Sequence, residues 1–329
     1  MFRHIKFSIN IGIIAVIVGV VTAVDLPGQS LLWREWQNTG HTLAFSVLAL
    51  LLLPLVHSYV LRYKESHNEP RKNGNKIYAY VITIIVLTVV GSGIELVQSI
   101  LGRDAELLDI VRDVAGILVS LSGYAIFDPH LNSPTSRQKT KIVLACVSLI
   151  IAVIALMPAA TLSFEYYSRY QCFPVVVDFS SNCGSYFVST HHADITIEKN
   201  PQGWRAQHTG PVAKVTLHRA QYPGIEIVEP PPDWSQYRQL NIELYSEQVQ
   251  PFFMSLRIND EKHNNELQDR FNGKIRVNPG DNKIQISLDQ IKMAPKGREM
   301  NMHAIKGMII FMASPQKDYQ YYLGAVWLD

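Results

Sequence analysis

The sequence predicts a multi-domain membrane protein: a bundle of five transmembrane helices followed by an all-β jelly-roll sandwich. Up to about Thr161 the 329-residue chain is dominated by Leu, Ile, Val and Ala, and it contains five apolar runs near the ~20 residues that cross a bilayer. Beyond Ser163 the composition becomes polar, aromatic and rich in Pro, Asn and Gln. There, apolar and polar residues alternate with period two in several short runs, which indicates half-buried strands.

The predicted spans are residues 7–24, 41–61, 77–101, 107–126 and 141–162. The first run could instead be a signal peptide, but it is long and no small-x-small cleavage pattern follows it. The fourth is the weakest because it contains Asp109, Arg112 and Asp113. A segment that re-enters the membrane without crossing it is the alternative there.

Basic residues in the loops predict the orientation. They are concentrated before the first span, between the second and third, and between the fourth and fifth. By the positive-inside rule these parts are cytoplasmic. An odd number of spans then places residues 164–329 outside, so we expect a multi-pass protein of the cytoplasmic (inner) membrane with an extracytoplasmic C-terminal domain.

Ionisable residues cluster in residues 91–116, between two apolar runs. Charges at membrane depth are costly unless they are paired or wetted. Helical spacing and the predicted orientation bring them together near the outer face, where they are predicted to form a polar pocket. Its members are His41, Glu95, Gln98, Arg103, Asp109, Arg112 and Asp113. The alternative is a packing hairpin held by Glu95–Arg103 and Asp109–Arg112 ion pairs, with glycines allowing close helix contact.

These positions resemble the VanZ-like membrane family over about residues 10–127. The shared pattern is Glu-x-x-Gln, then Arg, Asp, a polar residue and Gly, after an upstream His; here it consists of His41, Glu95, Gln98, Arg103, Asp109, Asp113 and Gly116. Asp113 stands where Asn is expected, Ser120 where Gly is expected, and Phe45 in place of Tyr. The resemblance implies work on the cell envelope near lipid-linked glycans, and the namesake is associated with low-level resistance to teicoplanin. It names no reaction.

The resulting domain assignment has three parts. Residues 1–127 form a VanZ-like four-span membrane domain. Residues 128–163 form a cytoplasmic loop and the fifth transmembrane helix. Residues 164–329 form the β-sandwich, in which turn residues such as Pro223-Gly224 and Pro279-Gly280 separate the alternating runs.

The order of motifs in the last part is similar to a galactose-binding-like jelly roll, the fold of many carbohydrate-binding modules. The resembling motifs are Val177-Asp178-Phe179, Trp234…Tyr237, Leu256-Arg257-Ile258-Asn259-Asp260 and Val326-Trp327-Leu328. This resemblance implies that aromatic rings stack on sugars while polar side chains bind hydroxyls. The candidate ligand residues are Trp234, Asp260, His263, Asn264, Asp269 and Arg270. Tyr186, Trp204 and Tyr222 are further candidate stacking surfaces. The alternatives are a core position for Trp234 and a merely solvated charged loop; bound calcium is left open.

Cys172 and Cys183 both fall in the predicted extracytoplasmic part, where they could form a disulfide. Cys146 lies in the fifth span and is interpreted as inert packing.

His191, His192 and Asp194 lack a third spaced ligand cluster, so we interpret them as surface residues and expect no metal. Catalytic motifs of the HExxH, Walker and nucleophile-elbow types are absent, and no cofactor is expected. The formal net charge of +2 argues against a nucleic-acid partner.

Three functions stay open. The leading hypothesis is an envelope protein, uncertain as an enzyme but leaning towards non-enzymatic, whose sandwich captures a glycan or protein partner on the same side as the polar pocket. The rival is a membrane enzyme that acts on a lipid-linked glycan or phospholipid headgroup, with Glu95, Asp109 or His41 as acid–base. The third is a protein-binding assembly scaffold. The expected partners are membrane lipids and an envelope glycan or lipid-linked saccharide, with the oligomeric state open.

Overall fold

A computed structural model describes residues 2–23, 30–66, 74–100, 107–128, 137–181, 183–205 and 210–329. The chain divides into two compact units, Met1–Ser163 and Phe164–Asp329. The first unit is helical, and most of the second is an antiparallel β-sandwich. The further division of the first unit after residue 127 remains a prediction.

The long helices are α1 Phe2–Ala23, α2 Leu31–Ser66, α3 Gly74–Ile100, α4 Leu107–Phe127 and α5 Arg137–Cys172. Four described segments are long and apolar enough to cross a membrane: Leu31–Tyr63, Ile77–Ile100, Leu108–Phe127 and Gln138–Cys172. In α1 the apolar segment Ser8–Val21 is shorter. The structure is therefore compatible with a membrane protein, while the count of five spans and their orientation remain predictions.

One helix corrects the expected start of β structure. α5 was predicted to end near residue 162, but it continues to Cys172. The added segment Phe164–Cys172 contains no Gly or Pro, the strongest helix breakers, and Pro174 follows its end. Strands therefore begin only at Val175.

The helical unit has an apolar core in which α2, α3 and α4 meet around Phe45, Leu87 and Ile117. α2 and α4 approach each other closely at Gly116, where a Cβ would lie 2.1 Å from the Thr42 carbonyl oxygen. Ser46 Oγ donates a hydrogen bond to the Gly116 carbonyl oxygen at 2.9 Å. Small residues and side chain–backbone hydrogen bonds of this kind are typical of helices packed within a membrane.

The strands are β1 Val175–Asp178, β2 Val188–His191, β3 Ala193–Glu198, β4 Val212–Leu217, β5 Gly224–Val228, β6 Gln239–Ser246, β7 Phe252–Asp260, β8 Phe271–Val277, β9 Gly280–Ser287, β10 Ile305–Phe311 and β11 Tyr319–Leu328. A short helix, α6 Leu288–Lys292, follows β9. The first sheet has the order β3-β4-β11-β6-β9, and β1 also pairs with β11. The second sheet has the order β2-β5-β10-β7-β8. All of these pairs are antiparallel.

The inner faces of the two sheets form one apolar core. Leu240, Ile242 and Leu244 of β6 are completely buried there, as are Leu256 and Ile258 of β7. These are the residues whose period-two alternation predicts strands, so the predicted β-sandwich is confirmed. The intervening residues of each strand point away from the core.

The last turns of α5 are bound to the sandwich. The buried guanidinium of Arg169 lies 3.5 Å from the ring centroid of Phe187 and donates to the Val228 carbonyl oxygen at 3.0 Å. A disulfide joins Cys172 to Cys183, with 5.9 Å between their Cα atoms. The end of α5 is thus an integral part of the second unit.

Candidate functional site

In the helical unit, the partly buried His41 of α2 contacts the buried Asp113 of α4. His41 Nδ1 lies 3.3 Å from Asp113 Oδ1, and the Asp113 side chain is 1% exposed. Its other oxygen, Oδ2, has no hydrogen-bond partner among the described residues. A Cβ at Gly91 of α3 would lie 2.5 Å from that oxygen, so the missing side chain makes room for the carboxylate.

A second ionic contact lies one turn earlier in α4. Arg112 Nη1 is 2.5 Å from Asp109 Oδ1, which is the ion pair expected in the packing alternative. Arg112 Nη2 is also 3.9 Å from Glu35 Oε1. The sequence reasoning missed Glu35 because this residue precedes the predicted second span, whereas α2 already begins at Leu31.

Glu95 and Gln98 are buried on one face of α3, as their helical spacing predicts. Gln98 Nε2 donates to the Val21 carbonyl oxygen of α1 at 3.2 Å. Arg103 lies outside the described residues, and so does its predicted pair with Glu95. The structure therefore brings His41, Asp113, Asp109 and Arg112 to the α2–α4 contact, and their joint role as a pocket remains a prediction.

In the sandwich, the predicted ligand loop is held by a residue that the sequence reasoning did not find. Arg298 Nη1 and Nη2 bind the two carboxylate oxygens of Asp260 at 2.6 and 2.9 Å. Its Nε donates to Asp269 Oδ1 at 2.5 Å. Hydrogen bonds from Arg298 and from the Asn264 backbone N–H lower the pKa of Asp269 to about 2. Burial pushes the pKa of Asp260 up, but hydrogen bonds from Arg298 and the Asn301 backbone N–H hold it below the usual value.

These contacts correct the predicted ligand role of Asp260, His263 and Asp269. The carboxylate of Asp260 is completely buried, and Arg298 occupies both of its oxygens. The His263 side chain is 4% exposed, with Nδ1 placed 2.9 Å from the Asp269 carbonyl oxygen. Asn264 is exposed and supports the loop through its backbone N–H. The polar groups of this loop therefore bind each other and Arg298, a residue remote from the loop in the sequence.

The predicted ligand role of Trp234 is also wrong. Its side chain is 0% exposed within the sandwich core, and its Nε1 donates to the Pro231 carbonyl oxygen at 2.7 Å. Because it is buried, it offers no surface to a ligand. The sequence prediction was wrong here because composition alone does not distinguish a core Trp from a binding Trp. Tyr186 and Tyr222 are half exposed, at 54% and 51%.

Aromatic rings gather instead on the outward side of the first sheet, where Trp204 and Tyr322 are buried in a small apolar cluster, 7% and 5% exposed, and Tyr245 is half-buried. Trp204, from the β3–β4 connection, stacks on Tyr245 of β6 with 5.6 Å between ring centroids and 23° between planes. Tyr322 of β11 lies beside Tyr245, with centroids 6.1 Å apart. A Cβ at Gly324 would lie 3.0 Å from the Trp204 ring, so this glycine accommodates the indole. Tyr245 is the half-buried, more accessible ring of the stack.

Polar side chains lie beside these rings. Asn241 and Glu243 alternate with the core residues of β6 and face outward, yet they are only 1% and 6% exposed. Asn241 Oδ1 accepts a hydrogen bond from Gln285 Nε2 at 3.0 Å, while its buried Nδ2 has no partner in the described part of the chain. We call Trp204, Asn241, Glu243, Tyr245 and Tyr322 the aromatic face. The alternation of β6 already implies that residues 241, 243 and 245 share a surface.

The exposed histidine region of the sandwich contains one ionic network. His218 Nε2 lies 2.8 Å from Asp194 Oδ2, and His218 Nδ1 lies 3.4 Å from Asp318 Oδ2. Hydrogen bonds with Asp194 and then Asp318 raise the pKa of His218. Within the described ranges, no group of three or more His, Cys, Asp or Glu residues has the geometry to hold a metal ion.

No known family model matches the chain, and no curated protein matches it either. Solved structures do match. An exo-β-agarase aligns with TM-score 0.40 and 14% identity over 47% of this chain and 25% of that chain. A family 11 carbohydrate-binding module from Clostridium thermocellum, in complex with a β-1,3-1,4-mixed-linked tetrasaccharide, aligns with TM-score 0.36 and 15% identity over 47% and 93%. CBM28, a module specific for non-crystalline cellulose, aligns with TM-score 0.33 and 11% identity over 48% and 94%.

These alignments are weak likenesses of fold and carry no argument about the ligand of this chain. The chain spans only a quarter of the agarase, 25% of its length. The resemblance of the helical unit to the VanZ-like family stays a prediction.

Proposed function

We propose that this chain is an integral membrane protein whose β-sandwich binds a glycan through the aromatic face. The observation that carries the proposal is the stack of Tyr245 on Trp204 beside Asn241 and Glu243, on a sheet surface that points away from the core. Binding sites for small ligands combine apolar and aromatic surface with a few placed polar groups. Aromatic rings suit the C–H faces of sugars, and the polar groups suit their hydroxyls.

The polar side chains of the aromatic face can both donate hydrogen bonds to sugar hydroxyl groups and accept hydrogen bonds from them. A sugar hydroxyl is a donor and an acceptor; a carboxylate accepts, and an amide does both. The Nδ2 group of Asn241 is buried and has no partner among the described residues, so a ligand oxygen that reaches it by displacing the neighbouring side chains would gain a hydrogen bond there. This gain favours a ligand that lies along β6.

The proposed setting is the outer surface of the cytoplasmic membrane. Five spans with a cytoplasmic N-terminus would place the sandwich outside; this requires the shorter apolar segment Ser8–Val21 of α1 to cross the membrane in addition to the four long apolar helices. Tethering to the membrane would raise the local concentration of a captured glycan there. A phosphatase reporter fused after Asp329 tests the orientation: we expect activity, whereas a silent phosphatase and an active cytoplasmic reporter at the same position would contradict it.

The helical unit has a second candidate function, an enzyme acting on a lipid-linked glycan or phospholipid headgroup. The contact of His41 with Asp113, whose Oδ2 has no described partner, favours it because such a pair can transfer protons. An enzyme would lose function in Glu95→Ala or Asp109→Ala at unchanged protein abundance. A packing role would instead lower abundance, as the Asp109–Arg112 contact leads us to expect for Asp109→Ala.

The proposal of glycan binding is tested with the full chain, purified in detergent and applied to an array of neutral and acidic glycans. We expect retention of one chemically coherent group of glycans. Retention of none, together with specific capture of an envelope protein, would favour the assembly scaffold and end the proposal.

A further inference from the structure

A row of polar and basic side chains lies along β8, an edge strand of the second sheet. Residues at every second position of a strand point to the same side. Asn272, Lys274 and Arg276 are exposed and alternate with the buried Ile275 on the opposite side. Arg270 precedes β8 in the same register. At roughly 3.4 Å per residue, these four side chains span about 20 Å. We call Arg270, Asn272, Lys274 and Arg276 the basic row.

The neighbouring strand β7 adds a further cation and an aromatic ring. Arg257 is the cross-strand partner of Asn272, and Phe253 is the partner of Arg276. Lys274 Nζ lies 4.1 Å from the ring centroid of Phe253, which is 49% exposed. Burial and the positive charge of Arg257 lower the pKa of Arg270, so the two guanidinium groups are close enough to repel each other.

Among the described residues, these cations have no acidic partner. No described carboxylate lies within ion-pair distance of Arg257, Arg270, Lys274 or Arg276, and the buried Nε of Arg257 has no described hydrogen-bond partner. By contrast, Lys214 on the first sheet lies 3.3 Å from Glu198. Glu226 shares the outer surface of the second sheet but lies two strands from Arg257, across Ile309. That separation is roughly 9.5 Å.

We propose that the basic row binds a linear acidic polysaccharide, whose sugars carry carboxylate or sulfate groups along the chain. Charge complementarity selects an anion, and guanidinium groups bind such oxyanions through paired hydrogen bonds. The row follows one strand and is about 20 Å long by strand geometry, which fits a polymer better than a single ion. The exposed ring of Phe253 provides an apolar surface for one sugar. This site lies on the second sheet, whereas the aromatic face lies on the first. Binding of an acidic polysaccharide by the basic row is therefore independent of glycan binding by the aromatic face, and each is tested separately.

The test uses the full chain in detergent and immobilised polygalacturonate, dextran sulfate and neutral dextran, measured by biolayer interferometry. The variant is Lys274→Gln/Arg276→Gln. The matched control is Lys262→Gln/Lys296→Gln, which removes the same charge from exposed positions outside the row. Melting temperatures of both variants establish that they fold.

We expect binding to at least one acidic polymer, none to neutral dextran, and weakening as salt rises. The row variant should lose at least tenfold in affinity and the control less than twofold. Equal losses in the two variants would indicate a general charge effect and overturn the proposal, as would the absence of binding to both acidic polymers. Equal or tighter row-dependent binding of a single-stranded oligodeoxynucleotide or of dihexanoyl phosphatidylglycerol would reassign the row to nucleic acid or membrane and also overturn it.

Discussion

Arg298 binds the carboxylate of Asp260 through two parallel hydrogen bonds, 2.6 and 2.9 Å long. The same guanidinium reaches Asp269, so one residue joins the β7–β8 connection to the segment before β10. The backbone N–H of Asn301 also donates to Asp260 at 2.7 Å. A buried carboxylate with all of these partners stabilises the loop and has little capacity left for a ligand.

Replacing Arg298 by Met is therefore expected to destabilise the sandwich. The free energy of unfolding should fall by about 3 kcal/mol, because Asp260 stays buried without its cation. This value is at the low end for a broken buried ion pair, since Arg298 itself is partly exposed. Urea unfolding followed by tryptophan fluorescence measures the change. Lys292→Met, which removes the exposed contact with Glu299, should cost less than about 1 kcal/mol. Equal costs for the two variants would contradict this role of Arg298.

Acid should weaken the same network. The pKa values of Asp260 and Asp269 are lower in the folded chain than their ordinary value of 3.8, so both carboxylates stabilise the fold above that pH. This stabilisation is lost as the pH falls towards about 2, the pKa of Asp269 in the folded state. Unfolding free energies measured between pH 5 and 2 should decline, and less steeply in Arg298→Met. Identical slopes in the two proteins would exclude the network as the cause.

The disulfide should contribute measurably to the second unit. Cys172 and Cys183 are separated by 11 positions, and closing a loop of that size stabilises by about 3 kcal/mol in the chain-entropy model. Cys172→Ser/Cys183→Ser should therefore lower the urea midpoint, and reductant should affect the parent chain but not the variant. Cys146→Ser should change neither result. Maleimide labelling of both Cys172 and Cys183 without prior reduction would refute the bond.

Close contact of α2 with α4 predicts a contrast between two glycines. Gly116→Ala should destabilise the helical unit by about 1–3 kcal/mol, because the new methyl group collides with the Thr42 carbonyl oxygen. Gly93→Ala should be neutral, since nothing lies within 4 Å of its Cβ position. Thermal denaturation in detergent compares them, and a neutral Gly116→Ala would disprove the close contact.

The elements that the sequence predicts best are those with strong local periodicity. The alternation of Leu240, Ile242 and Leu244 identified β6 and, by implication, the outward position of Asn241, Glu243 and Tyr245. The helical spacing of the acidic residues likewise identified the buried faces of α3 and α4. Local pattern suffices there because burial on one side of a regular element repeats with that element's period.

The failures concern contacts between remote segments. Nothing near Asp260 in the sequence indicates that Arg298 neutralises it, so the sequence predicts a ligand loop where Arg298 in fact holds the loop together. Trp204 reaches the aromatic face from a connection whose path no periodicity describes. Trp234 and Trp204 are both buried, and only the packing of the sheets shows that Trp234 lies in the core between them while Trp204 covers Tyr245 on the outward side of the first sheet.

The central claim, glycan binding through the aromatic face, is tested most directly by calorimetric titration of the full chain with a glycan retained on the array. Tyr245→Ala removes the more accessible ring of the stack, while Tyr222→Ala removes an exposed ring in the β4–β5 connection, which packs on Phe311 of the second sheet, and serves as the control. We predict a loss of at least tenfold in affinity, about 1.4 kcal/mol, for Tyr245→Ala and less than twofold for Tyr222→Ala. Unchanged affinity in a folded Tyr245→Ala variant would contradict the claim.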